Sequence, residues 1–176
     1  KGHFDGPTLL EALHAIGLAP MFGGTSSYNN RCGWHTACLY LGYSPMSNQP
    51  LMRFEDEQVA EVRERVIGYA LANLATMVPE ATHEFHRQQI QDWRIDGGMI
   101  EGELFWKSLA RVAEIRIVVY SYDTTTEAHA WDTHLYHGSG PFHYEASVLH
   151  LDNHYTALCE TTGILQHLYQ GSAFSQ

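Results

Sequence analysis

The order of two kinds of segment most constrains the fold: helical periodicity precedes Ala113, and β-branched, aromatic segments follow it. The clearest helix is predicted from Glu55 to about Ala75, where apolar residues recur at helical spacing. Other helices are predicted at about 8–16, 32–41, 79–93 and 101–113. Strands are predicted at 115–122, about 128–135, 147–150 and 154–159. Helices that come first and strands that cluster late predict an α+β fold.

The first helix is predicted to begin at a capping box, in which Thr8 caps the helix and Glu11 reaches back to its backbone. Gly17 suits the carboxyl end of that helix. Residues 23–30 are polar and rich in small side chains, which predicts a loop leading into the next helix. These boundaries predict one domain over 1–176, with its core at about 8–168.

Composition excludes several classes of function. The chain has 176 residues and a formal net charge of -10, and an acidic protein repels phosphate backbones, so no nucleic-acid partner is expected. No apolar run approaches the ~18 residues of a membrane span, and no signal-peptide segment follows Lys1. Three cysteines without a CxxC pair predict a reducing compartment rather than a disulfide framework or zinc site. His83 and His86 are three apart but lack a third ligand at suitable spacing, so neither a metal nor a cofactor is expected.

Cys32 has the setting of a nucleophile. It lies where a polar loop becomes a helix, and the positive end of a helix dipole lowers the pKa of a thiol. The preceding residues, 28–31, can aim amides and backbone N–H groups at a tetrahedral intermediate. Cys38 is predicted to be a small buried residue inside the helix, and Cys159 ends a strand. The competing interpretation is a cysteine that only packs at a helix start.

His154 is the predicted general base among 12 histidines. It opens a strand directly after the turn at 152–153, where an imidazole can face a cleft while its neighbours pack. His150 on the preceding strand is its nearest rival, and His35, one helical turn after Cys32, is another.

Three segments carry a common resemblance. Residues 29–35 read Asn-Asn-Arg-Cys-Gly-Trp-His, with an aromatic and a basic residue after the cysteine. Residues 98–110 carry Gly, Glu and Trp before Leu-Ala and lead into the strand at 115–120, and residues 148–158 contain Asn-His-Tyr. In this order the segments resemble the ovarian-tumour (OTU) family of cysteine proteases, and the first is particularly similar to the OTU-like papain-type proteases of arteriviruses. The resemblance implies a papain-like OTU fold of a bacterial or viral branch, with a small mixed or antiparallel sheet flanked by helices.

Two positions depart from the family pattern and leave the third catalytic residue open. Asn29 stands where the family has an aspartate that supports the oxyanion loop. Thr156 stands two residues after the histidine, where many members place an Asp or Asn that orients the ring. The alternatives are Asp5, before the nucleophile, and Asp152, which would share a face with His154 in an extended strand.

The resemblance implies a deubiquitinase in which Cys32 attacks the carbonyl at the ubiquitin C-terminal glycine and His154 moves the proton. It implies a monomer whose partner is ubiquitin or polyubiquitin, acting in a reducing cytosol, including that of a host cell as a secreted effector or viral protein. The expected ubiquitin contacts are Trp34, Asp96, Glu101 and Glu103. An acidic face would suit the basic ubiquitin tail, although ordinary solvated charge is the favoured interpretation of these three acids.

Two other functions remain open at this point. One is another papain-like Cys-His hydrolase, such as an amidase, a transglutaminase or a viral polyprotein protease, which would share Cys32 and His154. The other is a catalytically inactive module that only binds ubiquitin, and Thr156 in place of an acid or amide is the feature that favours it.

Overall fold

The computed structural model describes residues 6–98, 100, 102–122, 131–138 and 140–161. In this part of the chain the α-helices are α1 (Gly6–Ala15), α2 (Cys32–Tyr40), α3 (Asp56–Ala72), α4 (His83–Asp92) and α5 (Glu103–Ala113). The strands are β1 (Leu18–Pro20), β2 (Arg116–Tyr122), β3 (Trp131–Tyr136), β4 (Glu145–Leu151) and β5 (His154–Glu160). Apart from the short β1, the strands follow the helices, which confirms the predicted α+β fold.

The strands form one mixed sheet in the order β1-β5-β4-β2-β3. Strands β2 and β4 pair in parallel, whereas β1 with β5, β4 with β5 and β2 with β3 are antiparallel. The predicted hairpin partner of β2 is confirmed as β3. Strand β1 was not predicted: it is only three residues long and ends in Pro20, which has no N–H for a sheet and is tolerated at an edge.

The turn between β4 and β5 determines where β5 begins. It consists of Asp152 and Asn153, whose φ angles are 52° and 63°. Two positive φ angles define the type I′ turn, whose twist matches that of the flanking strands, and Asp and Asn tolerate this conformation. The strands predicted on either side of this turn are confirmed, and Leu151 pairs with His154 across it.

Apolar side chains cover both faces of the sheet. Val148 of β4 belongs to the larger core, which also contains buried residues of α2, α3 and α5. Its neighbour Leu149 packs on the opposite face with Leu13 of α1 and with Leu158. Because successive side chains in a strand point to opposite faces, burial of both faces explains the continuous apolar runs of β4 and β5.

Several helix boundaries differ from the predicted ones; α4, for example, begins at His83 rather than at about residue 79. Helix α1 begins at Gly6, two residues before the predicted Thr8 cap, because Pro7 is tolerated in a first turn whose N–H groups have no acceptor inside the helix. Helix α3 ends at Ala72 and is followed by a 3₁₀ turn, and its capping box joins Glu55 to Gln58. None of the described helices is long and apolar enough to cross a membrane.

His35 is a core residue of α2. It is fully buried, its Nδ1 accepts a hydrogen bond from the Phe54 N–H at 3.2 Å, and its ring stacks on that of Phe54. Burial, together with the charges of Arg31 and Arg53, lowers the pKa of His35 to about 4. The imidazole is therefore neutral at physiological pH and packs in the interior.

We expect His35 to make the fold sensitive to acid. Between pH 6.5 and about 4 the unfolded chain binds a proton at this imidazole and the native state does not, so stability falls as the pH falls. The free energy of unfolding should drop by up to about 3 kcal/mol over this interval through His35 alone. Urea unfolding at neutral and acidic pH measures the loss. His35→Gln should be less stable at neutral pH but lose less on acidification, and an equal pH dependence in both proteins would contradict this assignment.

Candidate active site

The predicted nucleophile and base, Cys32 and His154, line the same open cleft, whose volume is about 420 Å³. The cleft lies where the start of α2 meets the start of β5. The other residues that line it are Thr25, Ser27, Asn30, Leu51, Asp152 and Asn153. The fold thus brings together a thiol and an imidazole that are far apart in the sequence.

The backbone of β5 holds the thiol of Cys32. The Tyr155 N–H donates to Sγ, with a nitrogen–sulfur distance of 3.3 Å. Cys32 is the first residue of α2 and is only 5% exposed. The backbone N–H groups of Cys32 and Gly33 also act on the sulfur, since the first N–H groups of a helix have no acceptor inside it.

The thiol is held at the edge of β5 that pairs with β1, in the part of that edge that β1 does not reach. Strand β1 pairs with β5 only as far as Pro20 opposite Leu158. Towards His154, alternate N–H groups of β5 find other acceptors: Tyr155 donates to the Cys32 sulfur, and Ala157 donates to Thr25 Oγ1 at 3.0 Å. Residues two apart in a strand direct their N–H groups to the same edge, so one strand positions both groups.

The loop before the nucleophile is fastened to the turn at 95–98. Asn29 and Asn30 both have a φ of 55°, a left-handed conformation that asparagine tolerates. The Asn30 side-chain amide donates to the Gly97 carbonyl at 2.7 Å. Asn29 hydrogen-bonds to Asp96, and a Cβ on Gly97, where φ is 83°, would lie 3.1 Å from Asn29 Oδ1. The turn therefore approaches the loop closely because residue 97 is glycine.

Arg31 joins the nucleophile loop to two carboxylates. Its Nη1 lies 2.7 Å from Asp56 Oδ1 at the start of α3, and its Nη2 lies 2.8 Å from Asp96 Oδ1. The Arg31 side chain is 11% exposed, so both ion pairs are partly shielded from water. The hydrogen bond from Arg31 is the main reason why the pKa of Asp96 lies below its ordinary value. The residue next to Cys32 is thus anchored on both sides of the loop.

Comparison with known families and with curated proteins finds no match. Solved structures do match. The OTU domain of OTUD1 has a TM-score of 0.50 at 15% identity, covering 88% of this chain and 93% of its own. The viral OTU domain protease from Taggert virus has a TM-score of 0.53 at 14% identity, covering 81% and 80%. The Hazara virus OTU bound to ubiquitin has a TM-score of 0.55 at 16% identity, covering 83% of each chain. The chain has the OTU fold. At these identities the likeness is one of fold, and it confirms the papain-like OTU architecture that the three sequence segments predicted.

In this OTU fold the thiol and the imidazole are both biased towards their neutral forms. Burial raises the pKa of Cys32, although the N–H groups of Tyr155, Gly33 and Cys32 itself act in the opposite direction. Burial lowers the pKa of His154, and a hydrogen bond to the Thr25 backbone partly opposes this shift. The N–H groups at the helix start act in the predicted direction, but desolvation outweighs them, so the net shift of the Cys32 pKa is opposite to the one that the helix start predicted.

The candidates for the third catalytic residue occupy different positions. Asp152 lies on the exposed turn with a positive φ rather than in an extended strand, so the argument that it shares a strand face with His154 fails. Thr156 follows His154 by two residues on β5 and is 9% exposed. Asn29 is engaged with Asp96, which makes its side chain a support of the loop rather than a donor in the cleft. Asp5 lies outside the described residues.

The predicted ubiquitin contacts are only partly on the surface. Trp34 is 2% exposed and packs edge-on against Phe105 at 5.2 Å, so a contact through Trp34 is ruled out by burial. Asp96 is exposed but is already paired with Arg31. Glu103 is exposed at the start of α5, and Glu101 lies outside the described residues.

The rival histidines have other contacts. His35 is buried in the core, as described above. His150 stacks on Tyr155, with ring centroids 4.5 Å apart, on the strand face opposite to that of His154. His83 Nε2 and His86 Nδ1 each bond to a backbone carbonyl of the preceding turn.

Thr25 is a residue of the cleft that the sequence did not identify. It is 1% exposed, and its hydroxyl accepts the Ala157 N–H from a strand far away in the sequence. It lies in a polar loop, and neither periodicity nor a motif distinguishes it from its neighbours there.

We expect Arg31→Ala to loosen the nucleophile loop. It removes two charge-assisted hydrogen bonds and should lower the free energy of unfolding by about 1–3 kcal/mol. Amide hydrogen exchange should accelerate at 28–32 and 95–98 and stay unchanged in the sheet. Arg87→Ala, which breaks an exposed pair with Glu84, is the matched control and should cost less than about 0.5 kcal/mol. Unchanged exchange of the loop in Arg31→Ala would refute the anchoring role.

We expect Cys32 to react as a thiol with a high pKa. The rate of its alkylation by iodoacetamide should rise through neutral pH, with a midpoint above the ordinary thiol value of 9.0, because burial disfavours the thiolate. Cys32→Ala supplies the background from the other two cysteines. A rate that is already at a plateau near neutral pH would show a preformed thiolate–imidazolium pair and contradict the neutral state.

Proposed function

We propose that this OTU domain is a cysteine-dependent deubiquitinase that hydrolyses peptide or isopeptide bonds at the ubiquitin C-terminus. The observation that carries the proposal is the shared cleft, in which the Cys32 thiol is held by the Tyr155 N–H beside His154. The OTU fold supports it, because the solved structures of this fold include a viral OTU domain protease and an OTU bound to ubiquitin. The residue roles proposed from the motifs are compatible with this geometry.

In the proposed reaction the neutral pair is activated only as substrate reacts. His154 takes the proton from Cys32 while Sγ attacks the carbonyl carbon of the ubiquitin C-terminal glycine. The N–H groups of Cys32 and Gly33 at the start of α2 stabilise the oxyanion, since those of Asn30 and Arg31 already donate to the Ser27 and Tyr28 carbonyls. His154 then protonates the leaving lysine amine, and a thioester forms. Water, deprotonated by His154, attacks the thioester and releases the ubiquitin carboxylate and the free thiol.

The net charge of the domain supports a basic partner. A formal charge of -10 would attract the basic tail of ubiquitin and raise the rate of encounter. The exposed carboxylate of Glu103 remains a proposed contact, whereas that of Asp96 is shared with Arg31. The three free thiols fit a reducing cytosol as the site of action, and the viral neighbours suit a protein that acts in a host cell.

A second candidate is a ubiquitin-binding module without turnover. The buried thiol with its raised pKa and the absence of an acid or amide at Thr156 favour it. A ubiquitin that carries a C-terminal electrophile separates the possibilities. Covalent labelling that is lost in Cys32→Ala supports the enzyme. Binding without labelling supports the module. The absence of both labelling and binding would favour another papain-like Cys-His hydrolase.

We expect His154→Ala to lower the turnover of a ubiquitin substrate by about 10²–10⁴-fold, because it removes the general base. His150→Ala is the matched control, since His150 stacks on Tyr155 on the other face of the sheet. Its turnover should stay close to that of the wild type. Circular dichroism checks that both variants fold. An equal loss of turnover in two folded variants would refute His154 as the base.

A further inference from the structure

A catalytic imidazole needs a partner for its second nitrogen. An acceptor there fixes which ring nitrogen carries the proton and leaves the other free to act as the base. Asp152, on the exposed turn, and Thr156, farther along β5, were the sequence-based candidates in the described chain. The structure points to a different residue.

Thr25 is fixed from two sides beside this imidazole. Its buried hydroxyl accepts the Ala157 N–H at 3.0 Å, which ties it to the same strand that begins with His154. It also lines the cleft with Cys32 and His154. A displacement of Thr25 relative to β5 would therefore break a buried hydrogen bond.

The backbone pairing of Thr25 directs its carbonyl towards β5. Thr25 forms a parallel bridge with Met52, made by the Met52 N–H bonded to the Gly24 carbonyl at 2.8 Å and the Ser26 N–H bonded to the Met52 carbonyl at 2.9 Å. These bonds use the groups of residues 24 and 26. In such a bridge the N–H and C=O of Thr25, which lies between residues 24 and 26, face away from Met52. Here that side is the side of β5.

We propose that Thr25 is the positioning residue for His154: its hydroxyl locks it to β5, and its backbone carbonyl accepts the imidazole N–H. The assignment rests on the proposed Cys-His function. It replaces the missing acid or amide at residue 156 by a main-chain acceptor. The opposing effect of the Thr25 backbone on the pKa of His154 agrees with such a bond. The other titratable groups that line the cleft are Cys32 and the exposed Asp152.

Thr25→Val tests the proposal, because it keeps the shape of the side chain and removes the hydroxyl. The turnover number should fall by about 10–100-fold, with little change in KM, since the base is misplaced while the substrate surface is intact. Thr25→Ser restores the hydroxyl and should recover most of the turnover. Thr76→Val, which removes a threonine hydroxyl that accepts from Arg111 outside the cleft, is the matched control and should behave as the wild type.

Nuclear magnetic resonance of the ring nitrogens gives a readout that needs no activity. In the wild type, neutral His154 should be a single tautomer at a pH above its pKa, with the proton on the nitrogen that faces Thr25. Thr25→Val should mix the tautomers and lower the pKa of His154 further below its ordinary value, because the ring loses an acceptor that favours its protonated form, whereas Thr25→Ser should not. An unchanged tautomer and pKa in folded Thr25→Val would overturn the proposal. If the wild type fails to turn over ubiquitin, the proposed function fails, and the tautomer still tests Thr25.

Thr156→Asn provides an independent check. Residue 156 shares a strand face with His154, so an amide there can supply the acceptor that Thr25 is proposed to provide. Added to Thr25→Val, it should restore turnover at least in part and return His154 to one tautomer. Failure to restore either in a folded double variant would count against a positioning role of Thr25.

Discussion

The hydrogen bond from the Tyr155 N–H to the Cys32 sulfur is the contact around which the cleft is organised. It joins the first residue of a helix to the second residue of a strand and exists because β1 stops at Pro20. If β1 continued along β5, its carbonyls would take the N–H groups of Tyr155 and Ala157. The sheet edge that is left open holds the thiol at one position and the Thr25 hydroxyl at the other. A short strand is thus a condition for the site.

A second set of contacts fixes the loop that leads to the thiol. Asn29 and Asn30 adopt the left-handed conformation that the loop requires. Arg31 forms ion pairs with Asp56 at the start of α3 and with Asp96, which hold the loop in place. The main-chain N–H groups of Asn30 and Arg31 are used within the loop, where they donate to the Ser27 and Tyr28 carbonyls. The N–H groups of the first turn of α2 are therefore the donors proposed to receive a developing negative charge. In the proposed reaction these donors at the start of α2 are held in place before substrate binds, which is the condition for effective electrostatic stabilisation.

Local signals predicted the parts of the site that depend on local structure. Cys32 was predicted from a loop that becomes a helix, whereas His154 was predicted mainly from the motif that follows the turn at 152–153. Trp34 was misplaced because an aromatic residue beside a nucleophile does not reveal whether it faces a cleft or the core. Strand β1, the parallel pairing of β2 with β4 and the Thr25–Ala157 bond depend on contacts between distant residues, and no periodicity encodes them. The pKa of Cys32 was misjudged for a similar reason, since burial is a tertiary property.

The neutral state of the pair and the proposed main-chain acceptor belong together. A carboxylate beside His154 would stabilise the imidazolium and, through it, a resting thiolate in a cleft where burial disfavours both charges. A carbonyl has no net charge, so it fixes the tautomer and orientation of the ring without raising its pKa as far. In the proposed reaction the charges form only when Sγ attacks, at which point the N–H groups at the start of α2 are already directed at the site. In the proposed mechanism the cost of creating charge is met by interactions with the transition state, and a thiol whose pKa is raised by burial is expected to be less reactive towards other electrophiles and oxidants.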